Sequence, residues 1–354
     1  MQIDFHHATT YVVARAAGFK HEEANIIAYC AQYVDDAVSE GTVHFDNQAA
    51  YNRISSAHRM VDSRNSKELA NHQVWMSFHF LPGNDNKPAH DTAVGDGFIR
   101  KIVCRPNSPV AQEMVRGAIL GKDRLYGLHR LGVTMHVYAD TWAHQGFAGV
   151  LHEINEVENA EETGQSGVFN STLSNLLRDL LDDAIPPLGH GRANVFPDMP
   201  FLEWEYHNGK GELIKRNNPK DFLDAANHMC IAMQRYIKGD PDAKVPGLDN
   251  NTKAKLDQLF RGIKFEDGDK RHAEWLNAIR TGAFSFGSVD INDYMPRGND
   301  SWKALALGTS YDLPVHKYKD GFLTSNWKMF HDAILAHRFH VIHDILPKYG
   351  ICAA

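Results

Sequence analysis

Apolar residues recur along this chain mostly at spacings of three and four, so the elements it predicts are mainly helices. The clearest is 20–38 (KHEEANIIAYCAQYVDDAV), which opens on acidic residues and carries Ala24, Ile27, Ala28, Ala31, Val34 and Val38 on one face. The Ala- and Val-rich stretch 8–17, ended by Gly18, predicts a shorter helix before it, and 47–60 a weaker one after it. Residues 79–107 hold Pro82, Gly83, Pro88, Gly95, Gly97 and Pro106 and are expected as a long irregular loop. Ser108-Pro109 is an N-cap and first-turn pair from which helix runs to Gly121, resuming from Asp123 through His144. Further helices are expected at 170–184, 220–237, 250–262, 270–281 and 325–346. Only 201–215 and 284–295 mix aromatic and β-branched residues in a way that suits a hairpin or strand pair. The expected fold is therefore all-α, a multi-helix bundle with at most a short β-hairpin.

The 354 residues suffice for one large domain or two ordinary ones, and 43% hydrophobic with 23% charged residues is the balance of a globular chain. No apolar run approaches the ~20 residues that cross a bilayer, which excludes a transmembrane segment. The formal charge of −7, with no Lys/Arg block, argues against duplex nucleic acid as a partner. The opening Met-Gln-Ile-Asp-Phe-His-His lacks the basic and apolar regions of a secretory signal. A cytoplasmic location is the default expectation, with export by a signal-independent route left open. Cys30, Cys104, Cys230 and Cys352 lie far apart without a CxxC and are expected as reduced thiols. What changes the picture is histidine, present 21 times and dispersed along the chain. Such an excess invites metal or acid–base chemistry, against the plainer expectation that most imidazoles sit on the surface or hydrogen-bond in the core.

The segment from Leu128 to His144 places His136, Asp140 and His144 at successive intervals of four, one above another on a helix face, with His129 seven residues earlier. Met135, Val137, Ala139 and Trp142 supply apolar surface beside this stripe, so it is expected to point inward. A buried carboxylate is costly unless paired or bound to metal. Zinc accepts imidazole nitrogen and carboxylate oxygen alike, and the plainer alternative is one His–Asp hydrogen bond flanked by surface histidines. Other ligand-type residues beside apolar sequence are His6 and His7, Asp35 and Asp36 at the end of an amphipathic helix, His79, and His190 between two glycines. Each has its ordinary reading too: a surface imidazole, a loop carboxylate, a turn cap.

The order of these residues, an N-terminal His, an Asp ending an early helix, a lone His, then H-x3-D-x3-H and a later His, resembles the zinc-dependent phospholipase C superfamily, including its zinc-dependent single-strand nucleases. The resemblance covers about residues 1–200. It implies an all-helical fold built around a cluster of one to three zinc ions for phosphoester hydrolysis. It implies His136 and Asp140 on one zinc, completed by His79 and by Asp35 or Asp36, with Asp140 bridging to a second ion beside His6 or His7. His144 would be the first ligand of the remaining ion, followed either by His152 and Glu156, which match the family's His-x3-Glu spacing, or by His190. The chain departs from the family in starting on Met1 rather than a processed Trp, and in placing His144 four rather than six residues after Asp140. The segment from His136 to Phe147 also resembles uncharacterised bacterial proteins built around H-x-Y-A-D-T-W-A-H-Q-G-F.

The resulting expectation is a helical metal-binding core at 1–200, with 201–354 as a helical extension packed on it rather than an independent domain. Its function would be zinc-dependent hydrolysis of a small phosphoester or phospholipid by metal-activated water. Whichever of Asp35 and Asp36 does not ligate would act as general base, Arg130 is a candidate phosphate holder, and Phe78, Phe80, Trp142 and Phe147 are candidate cleft walls. Two alternatives stand beside it. One is an HD-type phosphohydrolase using His90-Asp91, His331-Asp332 or His343-Asp344. The other is a non-catalytic helical protein with a structural metal site.

Overall fold

The N-terminal residues wind into helix almost at once: a π-helical turn, Asp4–Thr9, runs into α1 (Thr10–Ala17), which Gly18 ends in the left-handed conformation at φ 112°. The computed structural model describes residues 1–58, 72–91, 97–164, 166, 189–190, 193 and 195–352. In α2 (His21–Asp36) the Glu23 carboxylate accepts the Lys20 N–H at 2.9 Å, and Ala24, Ile27, Ala28, Ala31 and Val34 form the buried face. Ser108 caps α3 (Pro109–Leu120) by accepting the Ala111 N–H, with Pro109 at the first helical position.

Next in the chain comes α4 (Gly127–Ala143), nearly all of it buried. It packs against α2, and Gly132 makes that approach possible: a Cβ there would lie 2.5 Å from the Ile27 carbonyl oxygen and 2.6 Å from the Cys30 Cβ. The remaining helices are α5 (Asn218–Lys238), α6 (Asn250–Gly262), α7 (Gly268–Arg280), α8 (Trp302–Leu307) and α9 (Asn326–Phe339), the last continuing as a π-helical turn, His340–Ile345. Asn217, Asp249, Asp267, Ser301 and Ser325 cap these helices through side-chain oxygens. One apolar cluster runs from Phe5 through α4 to Ile351, and a second, aromatic one gathers Phe80, Phe147, Trp204 and Tyr206.

The expectation of an all-α fold is corrected: helices dominate, but the chain also forms two antiparallel sheets, making it a mixed α/β protein. β1 (Gly41–His44) pairs with β2 (Ala50–Arg53) where 47–60 suggested helix. Local turn chemistry overrides the periodicity there. The Asn47 side chain accepts the Ala49 N–H, Gln48 takes φ 69°, and Tyr51 packs edge-on to Phe322. The second sheet joins β3 (Val157–Glu162), which the pattern did not suggest, to β4 (Glu203–Asn208) and β5 (Leu213–Asn217). The β4–β5 hairpin lies where 201–215 suited one, whereas 284–295 forms no strand. The helix expected at 170–184 falls outside the described residues. The long loop at 79–107 contains a short helix, Ile99–Ile102. Among the described residues no helix is long and apolar enough to cross a membrane.

Candidate metal centre

Five separate pieces of chain converge at the inward stripe of α4. This helix brings His136, Asp140 and His144; the last turn of α2 brings Asp35; a π-helical segment, His72–His79, brings His79. The N-terminal segment brings His6 and the Met1 amine, and the stretch around 189–198 brings His190 and Asp198. The N-terminal segment is held down by Arg271 of α7. Its guanidinium pairs with Asp4 at 2.7 Å and reaches Gln2 Oε1 at 2.6 Å, both charges being buried.

Asp140 is the hub. Its Oδ1 lies 2.8 Å from the Met1 nitrogen and 3.2 Å from His6 Nε2, while its Oδ2 lies 3.3 Å from His136 Nε2 and 3.6 Å from both His79 Nδ1 and His144 Nδ1. Asp35 Oδ1 stands 3.7 Å from His79 Nδ1 and 3.8 Å from His136 Nε2. Asp198 meets His144 Nε2 and His190 Nε2, each at 3.6 Å, and the Met1 nitrogen at 3.1 Å. Three groups therefore have ligand atoms mutually within 4.8 Å: Asp35, His79 and His136; His6, His136 and Asp140; His144, His190 and Asp198. Ligand atoms around a tetrahedral ion at ~2.1 Å lie ~3.4 Å apart, close to the separations seen here.

Proton bookkeeping strengthens that fit. His136 Nδ1 donates to the Ala31 carbonyl at 2.7 Å, and His79 Nε2 to the Ser56 carbonyl at 2.9 Å. His144 Nδ1 donates to the His79 carbonyl at 2.7 Å. Carbonyls only accept, so each of these neutral rings carries its proton there and turns a bare lone pair toward the centre. His136 Nε2 and His79 Nδ1 thus face each other, 3.3 Å apart, without a proton to share. Both ring nitrogens of His6 and His144 Nε2 are buried with no hydrogen-bond partner among the described residues. Lone pairs aimed at carboxylates repel unless a cation lies between them.

The ionisation states point the same way. Burial depresses His6 to a pKa of about 3, with His136 adding to the effect, and depresses His136 and His144 to about 4 although Asp140 opposes it. All three are neutral at neutral pH. Burial also raises Asp35, helped by the charge of Asp140. Asp140 and Asp198 run against burial: the imidazoles and the Met1 ammonium hold both below the usual carboxylate range. Burial disfavours the Met1 ammonium, yet Asp140 and Asp198 lift its pKa to about 11. Among the described residues the Met1 ammonium is shared by Asp140 and Asp198 while Asp35 faces only imidazoles, so the donors of the centre suit divalent metal.

The structure brings together His6, Asp35, His79, His136, Asp140, His144 and His190. Their sequence neighbours go elsewhere. His7 bonds His272 at 2.9 Å, and Asp36 accepts the Tyr294 hydroxyl at 2.7 Å. His152 caps a short turn by accepting the Ile154 N–H, and Glu156 lies just before β3, in none of the three groups. His129 bonds Asn326, and Arg130 lies near Asp344. Of the expected cleft aromatics, Phe80 stacks on His144 at 4.6 Å, whereas Phe78, Trp142 and Phe147 are core residues. Among the described residues the three His-Asp pairs fall in none of the three groups. His331 packs on Trp327, Asp332 accepts from Tyr51, and His343 packs on Phe339. His90 and Asp91 stay in a loop outside all three groups.

Sequence reasoning missed one member, Asp198. Asp198 follows His190 by eight residues, within Phe196-Pro197-Asp198, so a search for His-x3-Glu passed over it. Residues 1–345 match the model of DUF6765, a family of unknown function, and the chain belongs to that family. No curated protein and no solved structure matches it.

Proposed function

We propose that this protein is a zinc-dependent phosphoester hydrolase. The observation that carries the reading is the set of neutral imidazole lone pairs and buried carboxylates, arranged at tetrahedral ligand spacing around Asp140. Asp35, His79, His136 and Asp140 would hold one ion. His6 and Asp140 would hold a second, and His144, His190 and Asp198 a third. Bound together, such ions supply an activated water and neutralise charge developing on a phosphoryl group.

The chain's own residues do the rest. Asp140 keeps the ligand groups in register, and Ala31, Ser56 and His79 fix the imidazole tautomers through their carbonyls. A cleft of about 580 Å3, lined in part by Met1, Gln32, Asp35 and Tyr294, borders the centre at Asp35. Asp35 is about a third exposed on the wall of this cleft, so an ion it helps to hold would be reached from that side. Asp36 Oδ2 is already engaged by Tyr294 and Gln32. Asp36, Asp267 and Asp269 also line the cleft, and their charge disfavours a polyanionic strand over a small diester with a neutral or cationic headgroup.

The test is turnover of a phosphodiester, a phosphomonoester and a phosphocholine chromogenic substrate by freshly purified, chelated and zinc-restored protein. Zinc-restored hydrolysis of at least one diester is expected. Zinc-loaded protein inactive on all three would leave the metal as a structural clamp and end the hydrolase reading.

A further inference from the structure

Beside the turn that follows α4 lies a second cavity, of about 330 Å3, lined by none of the metal-centre residues. Its size is at the lower end of the ~300–1,000 Å3 usual for small-molecule sites. Its lining carries Arg100, Arg105, Lys210, Lys215 and Arg216 against a single acid, Glu212, in a chain whose net charge is −7. Ion pairs fix three of these cations: Arg216 with Asp221 at 3.4 Å, Arg105 with Asp85 at 3.3 Å, and Lys215 with Glu205 at 3.1 Å. None of those carboxylates faces the cavity. Arg216 is buried and also donates to the Trp142 and Ala143 carbonyls, both at 3.0 Å, which ties the pocket wall to the end of α4.

Tyr206 supplies the second observation. Only 1% exposed, its ring lies between Phe147 (5.8 Å, 9°) and Trp204 (4.8 Å, 18°), so its direction is set by stacking. Its hydroxyl lines the cavity without a hydrogen-bond partner among the described residues. The ring is buried but the hydroxyl oxygen is not among the buried polar atoms, so it opens onto the cavity and is free to donate there. What is missing is an acceptor, and every cation around it is a donor. Ile154 and Ile214 add an apolar strip on which a small organic body could rest.

We propose that this pocket is a phosphate-binding site, taking either free phosphate or the phosphate of a small phosphomonoester. The three acceptor-only oxygens of a phosphate group answer the Tyr206 hydroxyl and the arginine and lysine donors together. The inference is independent of the hydrolase reading.

Calorimetric titration of the full, chelated chain with inorganic phosphate, glycerol 3-phosphate and glycerol tests it. One saturable phosphate-dependent site is expected, with no binding of glycerol. Tighter glycerol 3-phosphate identifies an ester as ligand, and tighter inorganic phosphate identifies the free ion. Tyr206→Phe should weaken binding about tenfold, the effect of losing one hydrogen bond to a charged group, and Lys210→Ala should weaken it as well. Asp140→Asn should leave it unchanged. Absence of saturable binding, indifference to both Tyr206→Phe and Lys210→Ala, or loss of binding in Asp140→Asn would overturn the proposal.

Discussion

Asp140→Asn preserves shape while removing the charge on which the ligand groups centre. Asp140 faces the Met1 ammonium, His6, His136, His79 and His144 within 3.6 Å, so no other single substitution touches as many candidate ligands. Free zinc at a thousand times its dissociation constant stabilises the folded chain by ~4 kcal/mol per ion. For 354 residues an unfolding entropy of ~2.1 cal/mol/K per residue gives ~0.74 kcal/mol/K, or ~1.3 °C for each kcal/mol. The three proposed ions should therefore raise Tm by ~16 °C over the chelated protein. Asp140→Asn should forfeit the two ions that Asp140 helps to hold and reduce the rise to ~5 °C. Scanning calorimetry of both proteins, chelated and in zinc buffer, gives the metal-dependent rise for each. Any baseline change caused by the substitution cancels in this comparison. An equal rise in the two proteins, or none in the native chain, would refute the reasoning.

Four further outcomes are expected. His190→Ala and Asp198→Asn should each lower bound zinc by about one equivalent in elemental analysis, while His152→Ala and Glu156→Ala leave it unchanged. Gly132→Ala should force α4 away from α2 at the Ile27 carbonyl, costing ~1–3 kcal/mol and lowering Tm by ~1–4 °C equally with and without zinc. Arg271→Ala strands the buried Asp4 carboxylate, a loss of ~3–5 kcal/mol in denaturant titration, and should also reduce bound zinc because His6 and Met1 lose their anchor. His331 and His337 are held at pKa values of about 3, chiefly by burial, with Arg53 and Arg130 respectively adding to it. They stay neutral in the fold while the unfolded chain takes up protons below pH ~6.5, so stability is lost as pH falls. The loss is ~2 kcal/mol per histidine by pH 5, and urea titrations at pH 7 and pH 5 should show His337→Gln escaping that much of it.

Helical periodicity made the core of the site readable. Spacing by four put His136, Asp140 and His144 on one face, and the apolar residues beside them turned that face inward. Turn chemistry was harder to see, because the Asn47 and Gln48 turn and the pairing of β1 with β2 act over four or five residues and leave little trace in a helical pattern. Adjacent candidates were indistinguishable on the same grounds. His6 and His7, or Asp35 and Asp36, differ by ~100° around a helix axis, and only the packing of neighbouring elements selects which one faces the centre.

The sequence by itself determined most of the long helices, which face of α4 is chemical, and that its acid needs a cationic partner. The tertiary structure decided the rest: that His6, Asp35, His79 and His190 meet that face, that Asp198 joins them, and that two small antiparallel sheets form beside the helical elements in the chain. The physical reason is range. Periodicity reports contacts within a few residues, whereas this centre closes over separations such as the 139 residues between Met1 and Asp140, which only the folded packing specifies.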